Sequence, residues 1–226
     1  MQKKNIVSKV IAIVFGRPTQ LWAYGRQTYL FYQTNFLRRL FINGKSQYRL
    51  GKNVRIQALK VLTAENASTM SIGNNTIIYE NAKLEAFGSA ELSIGENSVI
   101  GDARISSRKK ITIGKNFLTS WNVFIQDFDP HPVNGALRAA QVDSMSLNFF
   151  PSFDEKPTPV SFEFEFPSDE ITIGNNVWLG ANVTILKGAH IGDNCIVATG
   201  AVVLKGRYES NTIIAGNPAK VVKTNI

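Results

Sequence analysis

Apolar residues recur at every sixth position along much of this chain. Ile173, Leu179, Ile185, Ile191, Val197 and Val203 form the longest such row, Ile72, Ile78 and Leu84 repeat it, and Ile113, Thr119 and Ile125 keep the step. A step of six matches neither the face of a helix nor the alternation of a half-buried strand. It fits a coil with three flat sides, each a short strand and a turn, with the apolar residue of each step pointing inward. A coarser period overlies the fine one. Leu50-Gly51-Lys52-Asn53, Ile72-Gly73-Asn74-Asn75, Ile94-Gly95-Glu96-Asn97, Ile113-Gly114-Lys115-Asn116, Ile173-Gly174-Asn175-Asn176 and Ile191-Gly192-Asp193-Asn194 start 22, 22, 19, 60 and 18 residues apart. Units this short bury no core alone and must stack. Gly and Asn suit the turns because both tolerate positive φ. Stacked coils pair as parallel strands, so the pattern predicts an all-β solenoid of about seven coils over residues 50–226.

Two stretches break the pattern. Residues 1–49 read as a basic, helical extension, with a helix over 17–42: Arg17-Pro18 opens it, Trp22, Tyr29, Phe36 and Leu40 follow helical spacing, and Asn43-Gly44 ends it. Such a helix caps the open first coil, lays a basic, aromatic face on a membrane surface or makes subunit contacts. The long interval contains an insertion over 132–170, with four prolines before residue 160 (Pro132, Pro151, Pro157, Pro159), and seven acidic and two basic residues in all. Phe149, Phe150 and Phe153 argue for an ordered arm over the active site or a neighbouring subunit rather than a linker. Ser161–Phe166 alternates and reads as a short strand.

Charge sharpens this division. Residues 1–60 hold 12 of the 25 Lys and Arg and no acidic residue, which leaves 13 basic and 17 acidic residues in the remainder. A basic end needs an anionic partner: membrane lipid, a glycan or an acidic subunit. No nucleic-acid module accompanies the charge. One cysteine gives no intrachain disulfide and fits a reducing cytoplasm. Ile6–Phe15 is too short to span a bilayer and lacks a small-residue cleavage site, so neither a membrane span nor a signal peptide is expected. Two histidines, His131 and His190, cannot supply a three-histidine zinc site, so no metal is expected.

The hexapeptide pattern resembles the left-handed parallel β-helix acyltransferases, whose crossovers depart from the usual right-handed rule. The match is closest over 177–223 (VWLGANVTILKGAHIGDNCIVATGAVVLKG, then IIAGNPAKVVK). It points to the O-acetyltransferases of the galactoside, maltose, nodulation-factor and xenobiotic group. The resemblance implies a homotrimer with acetyl-CoA in a groove between neighbouring solenoids. In that family an Asn followed eight or nine residues later by His-Pro marks the catalytic histidine; here Asn122 and His131-Pro132 fit, with Asn122 near the acceptor. His131 would take a proton from a hydroxyl as it attacks the thioester, with Asp127 or Asp129 holding the ring. Trp178 would lie beside the thioester across the subunit boundary. Gly180 and the backbone amides of Ala181 and Thr199 match positions that hold the pantetheine arm, and Lys205, Lys220 and Lys223 match those that meet coenzyme A phosphates. Relatives have Asp after the counterpart of Lys205, where this chain has Gly206. His190 falls on an outward, structural position. Cys195 occupies the small-residue slot with no base beside it, so direct transfer is expected rather than an acyl-cysteine.

The expected acceptor is a sugar hydroxyl on a surface polysaccharide, capsule or lipopolysaccharide precursor, met by a cytoplasmic enzyme peripheral at the inner membrane. The alternatives are a small acceptor (an antibiotic, a free sugar, serine or the amine of a nucleotide-sugar) and a non-enzymatic solenoid scaffold.

Overall fold

The computed structural model describes residues 47–65, 67–148 and 162–226, together with Gly25, Arg26, Thr28 and Tyr29. Those four positions are helical; the rest of the helix expected over 17–42 lies outside the described residues. Arg26 forms an ion pair with Glu80 (3.0 Å) on the second coil.

The described residues form a parallel β-solenoid with three faces. Sheet 1 has seven parallel strands, sheet 2 has seven parallel strands and a final antiparallel one, and sheet 3 has six. Each coil visits sheets 1, 2 and 3 in turn. Every residue of the six-step rows is buried: Ile173, Leu179, Ile185, Ile191, Val197 and Val203 expose 3% or less, so the inward reading holds. One continuous apolar core runs down the axis from Val54 to Ala219. The chain closes with Ala219–Thr224 returning antiparallel along Thr212–Gly216.

The repeated Gly and Asn do different jobs. Asn53, Asn75, Asn97, Asn116, Asn176 and Asn194 all take φ between 55° and 58°, the left-handed turn expected of them. They also stack: Asn176 Nδ2 donates to Asn194 Oδ1 (3.0 Å), and Asn194 Nδ2 to Asn211 Oδ1 (3.0 Å). The glycines just before them are not at positive φ. They are glycine because coils approach too closely for a side chain: a Cβ on Gly95 would lie 2.5 Å from the backbone of Gly114 and Lys115.

Of the insertion, residues 132–148 and 162–170 are described, and their local structure differs from the expectation; Phe149, Phe150 and Phe153, on which the expectation of an ordered arm rests, lie outside the described residues. The insertion leaves sheet 3 after Val123–Gln126 and rejoins sheet 1 at Ile171–Ile173. Its two ends zip together, with Phe128 bridging Ser168, Asp129 N–H donating to the Pro167 carbonyl (2.9 Å) and Asp169 N–H to the Asp127 carbonyl (2.9 Å). Between them lies a helix, α1 (Gly135–Asn148), which the sequence pattern does not show. Asn134 caps it, its Oδ1 accepting from Leu137 N–H (3.1 Å). Phe162–Phe166 forms no strand. Its alternation instead lays Phe162, Phe164 and Phe166 in a row of ring contacts ending on Phe128. The Arg108 guanidinium lies 3.7 Å from the centroid of the Phe166 ring, with Phe87 and Phe128 also against it. The returning limb is therefore held on its own coils.

Candidate active site

Three corners separate the sheets, and the candidate residues fall on two of them. His131 belongs to the corner between sheets 3 and 1, where the insertion leaves. Asn122, Gly180, Ala181 and Thr199 belong to the corner between sheets 2 and 3. The two sets lie at opposite ends of the sheet 3 strands, so one protomer does not bring them together.

The neck of the insertion places His131. Asp127 is fully buried and its carboxylate accepts from Ser107 Oγ (2.6 Å), Arg108 N–H (2.8 Å) and Lys109 N–H (3.1 Å). That aspartate anchors the exit from the solenoid. Asp129 forms an ion pair with Lys187 (2.5 Å). Neither therefore holds the imidazole as expected. The partner of His131 Nδ1 is Gln141 Oε1, at 2.9 Å on α1. Sequence spacing hides this, because Gln141 comes from a helix that the composition of the insertion does not announce. Arg138, one turn earlier on α1, donates to the carbonyls of Pro132 (3.0 Å) and Val133 (2.9 Å). His131 itself is exposed and Pro132 is buried.

At the other corner, Asn122 takes φ of 54° and donates to Asn182 Oδ1 (2.8 Å). Gly180 is packed so tightly against the next coil that a Cβ would lie 2.7 Å from the Thr199 nitrogen. Among the described residues neither the Ala181 nor the Thr199 amide has a hydrogen-bond acceptor, so both are available to a ligand. Trp178 stands on the outer face of sheet 2, 46% exposed, with its indole N–H reaching Ser120 Oγ at 3.3 Å. It is in register with Ile196, Ile213 and Lys223 across the strands that follow. Lys220 and Lys223 are exposed on the last strand. Lys205 is paired with Asp169 (2.6 Å), and that ammonium holds the Asp169 carboxyl below the usual carboxylate range.

The remaining titratable candidates are structural. Cys195 is fully buried, its thiol 3.2 Å from the Glu209 carbonyl. His190 is half-buried on sheet 1, with Nδ1 2.8 Å from Thr172 Oγ1.

Comparison with known proteins agrees with the repeat. Residues 170–205 match the family described as "Bacterial transferase hexapeptide (six repeats)". The chain is 37% identical over 115 residues to "Probable macrolide acetyltransferase" of Lysinibacillus sphaericus, covering 50% of this chain and 59% of the relative. It is 31% identical over 126 residues to polysialic acid O-acetyltransferase of Neisseria meningitidis, covering 56% and 48%. The chain thus spans about half the length of the curated relatives it matches. Among solved structures, an N-acyltransferase from Bacillus cereus in complex with dTDP and 3-hydroxybutyryl-CoA shares the fold, with a TM-score of 0.57 at 17% identity over 87% of this chain and 90% of that one.

Proposed function

We propose that the chain is a hexapeptide-repeat acyltransferase, its solenoid the left-handed parallel β-helix, and that it transfers an acetyl group from acetyl-CoA to a sugar hydroxyl, a reading supported by the repeat match and by the acetyltransferase relatives. One observation carries the reading. His131 projects from the corner where the solenoid is interrupted, while Trp178 and two amides without acceptors line the adjoining corner. In an assembly, the first corner of one subunit would face the second of its neighbour. His131 Nε2 then takes the hydroxyl proton as the oxygen attacks the thioester carbon. The tetrahedral oxyanion is met by backbone N–H donors, the C–S bond breaks, and the imidazolium returns its proton to the departing thiolate. The products are an acetyl ester and free coenzyme A. Ala181 and Thr199 hold the pantetheine arm, Trp178 walls the thioester, and Lys220 and Lys223 meet the phosphates, with Lys205 partly occupied by Asp169. Asn122 would reach the acceptor from the neighbour's corner. No metal takes part in this scheme.

The assembly proposed is a homotrimer. Ile77, Val99, Leu118, Trp178, Ile196 and Ile213 lie in one outward row across sheet 2, an apolar stripe on the face where a solitary solenoid would carry polar side chains. The acceptor proposed is a glycan of the cell surface or its precursor, a reading supported by the polysialic acid relative and by the size of the insertion. The basic first 60 residues would hold the enzyme at the cytoplasmic face of the inner membrane. Among the described residues no helix is long and apolar enough to cross a membrane. A small hydroxyl acceptor is the second reading, favoured by the macrolide relative.

The test is release of free coenzyme A by the purified protein, with and without extracted surface glycan, for wild type and His131→Ala. Glycan-dependent release lost in the variant supports the proposal. Turnover only with small hydroxyl compounds moves the acceptor to the second reading. Absence of acetyl-CoA binding leaves a scaffold and ends the enzymatic reading.

A further inference from the structure

Gln141 is 9% exposed, unusually buried for an amide side chain on a helix whose neighbours Val142 and Met145 stay in solvent. Its two polar atoms are both engaged, and by partners that fix their identity. One end reaches the Pro130 carbonyl (3.4 Å), which can only accept, so that end is the NH2 group. The other end, at 2.9 Å from His131 Nδ1, is therefore the amide oxygen. An amide oxygen only accepts, so Nδ1 carries the proton. The second nitrogen, Nε2, is left bare and able to take a proton.

We infer that Gln141 is a positioning residue: α1 of the insertion delivers it to lock the neutral Nδ1–H tautomer of His131 and aim Nε2 outward as the base. This rests on the proposed role of His131. Other contacts fit the same purpose. Pro132 limits His131 to extended backbone, and Arg138, at i−3 from Gln141 on α1, clamps the two carbonyls that follow the histidine. The charged groups nearby are committed elsewhere: Asp129 to Lys187, Asp127 to the strand exit, and Arg138 to Pro132 and Val133. The orienting group is thus neutral. It sets tautomer and direction without adding the negative charge that a carboxylate would place beside the imidazolium.

The chain has two histidines, so an imidazole nitrogen-15 spectrum of the whole protein contains two rings, and His131→Ala assigns them. In wild type above neutral pH the His131 ring should show a protonated Nδ1 and a bare Nε2. Gln141→Leu, close in volume, should mix the tautomers and lower kcat roughly tenfold or more, a share of the ~10²–10⁴ supplied by general-base catalysis, with KM for acetyl-CoA unchanged. Gln141→Glu should keep the Nδ1–H tautomer and shift the acid limb of the kcat profile to higher pH. A wild-type ring protonated at Nε2, or a Gln141→Leu enzyme with wild-type kcat, overturns the inference. Full activity in His131→Ala would instead overturn the base assignment, while the tautomer spectrum still tests Gln141 independently.

Discussion

Two glycines of similar appearance in the sequence make opposite demands. A Cβ at Gly95 would lie 2.5 Å from the backbone of the next coil, while Gly88 sits at φ +60° with open space around it. Gly95→Ala must separate two coils or strain both, and should cost about 1–3 kcal/mol or more. Gly88→Asn places a residue that accepts the left-handed region into free volume, and should change stability by less than about 0.5 kcal/mol. Urea unfolding of the two variants checks the contrast; equal losses would refute the assignment of close approach to the one and turn geometry to the other. The repeat asparagines follow the second logic, with stacked amides added, so Asn194→Ala should cost on the order of 1–2 kcal/mol from its φ of 55° alone.

The insertion neck is the element on which the site depends, and its contacts make separate predictions. Arg108→Ala removes a guanidinium packed against three phenylalanine rings and should loosen the returning limb by about 1–2 kcal/mol. Amide exchange at 166–169 should speed up while the coils remain protected. Acid should act on the same neck through Asp169. Its folded pKa is lowered chiefly by the hydrogen bond from Lys205, against a smaller opposing push from desolvation. Its stabilising share is therefore complete above the ordinary carboxylate range and is lost as pH falls through the depressed folded value. Protection at the neck, taken relative to the intrinsic amide exchange rate at each pH, should fall at the acid end as pH is lowered from 6, and Asp169→Asn should flatten that dependence. These contacts also explain what the sequence hides. The coils are legible because each step of six repeats one local rule. Helix α1 is not, because its amphipathicity is inverted: Gln141 and Ser144 are buried whereas Leu137, Val142, Met145 and Leu147 are exposed. A hydrophobic pattern finds no seat on such a helix. The neck pairs residues far apart in sequence, so spacing alone offers His131 only the nearby aspartates as partners.

At the scale of the whole molecule, separation of the two corners has a consequence for assembly. His131 stands at one corner of the solenoid and Trp178 on sheet 2 beside another, so the proposed site requires two copies, and the outward apolar row on sheet 2 supplies a face for them. Leu118 lies in that row, 44% exposed and beside Trp178 on the neighbouring strand. A charge there would be buried without a partner in the assembly but solvated in the free protomer. Leu118→Arg should therefore lower the mass in solution from that of the proposed trimer to that of a monomer and keep the β-solenoid spectrum. Mixing provides the stricter check. His131→Ala and Trp178→Ala subunits are each inactive alone if both residues are required. Unfolded and refolded together at equal amounts, random closure gives roughly a quarter of the interfaces one intact contribution from each side. About a quarter of wild-type activity should return if the site is shared. Recovery of nothing, with mixed trimers confirmed by mass, would mean that each subunit carries both groups in one site, and the assignment of these two corners to one reaction would fall.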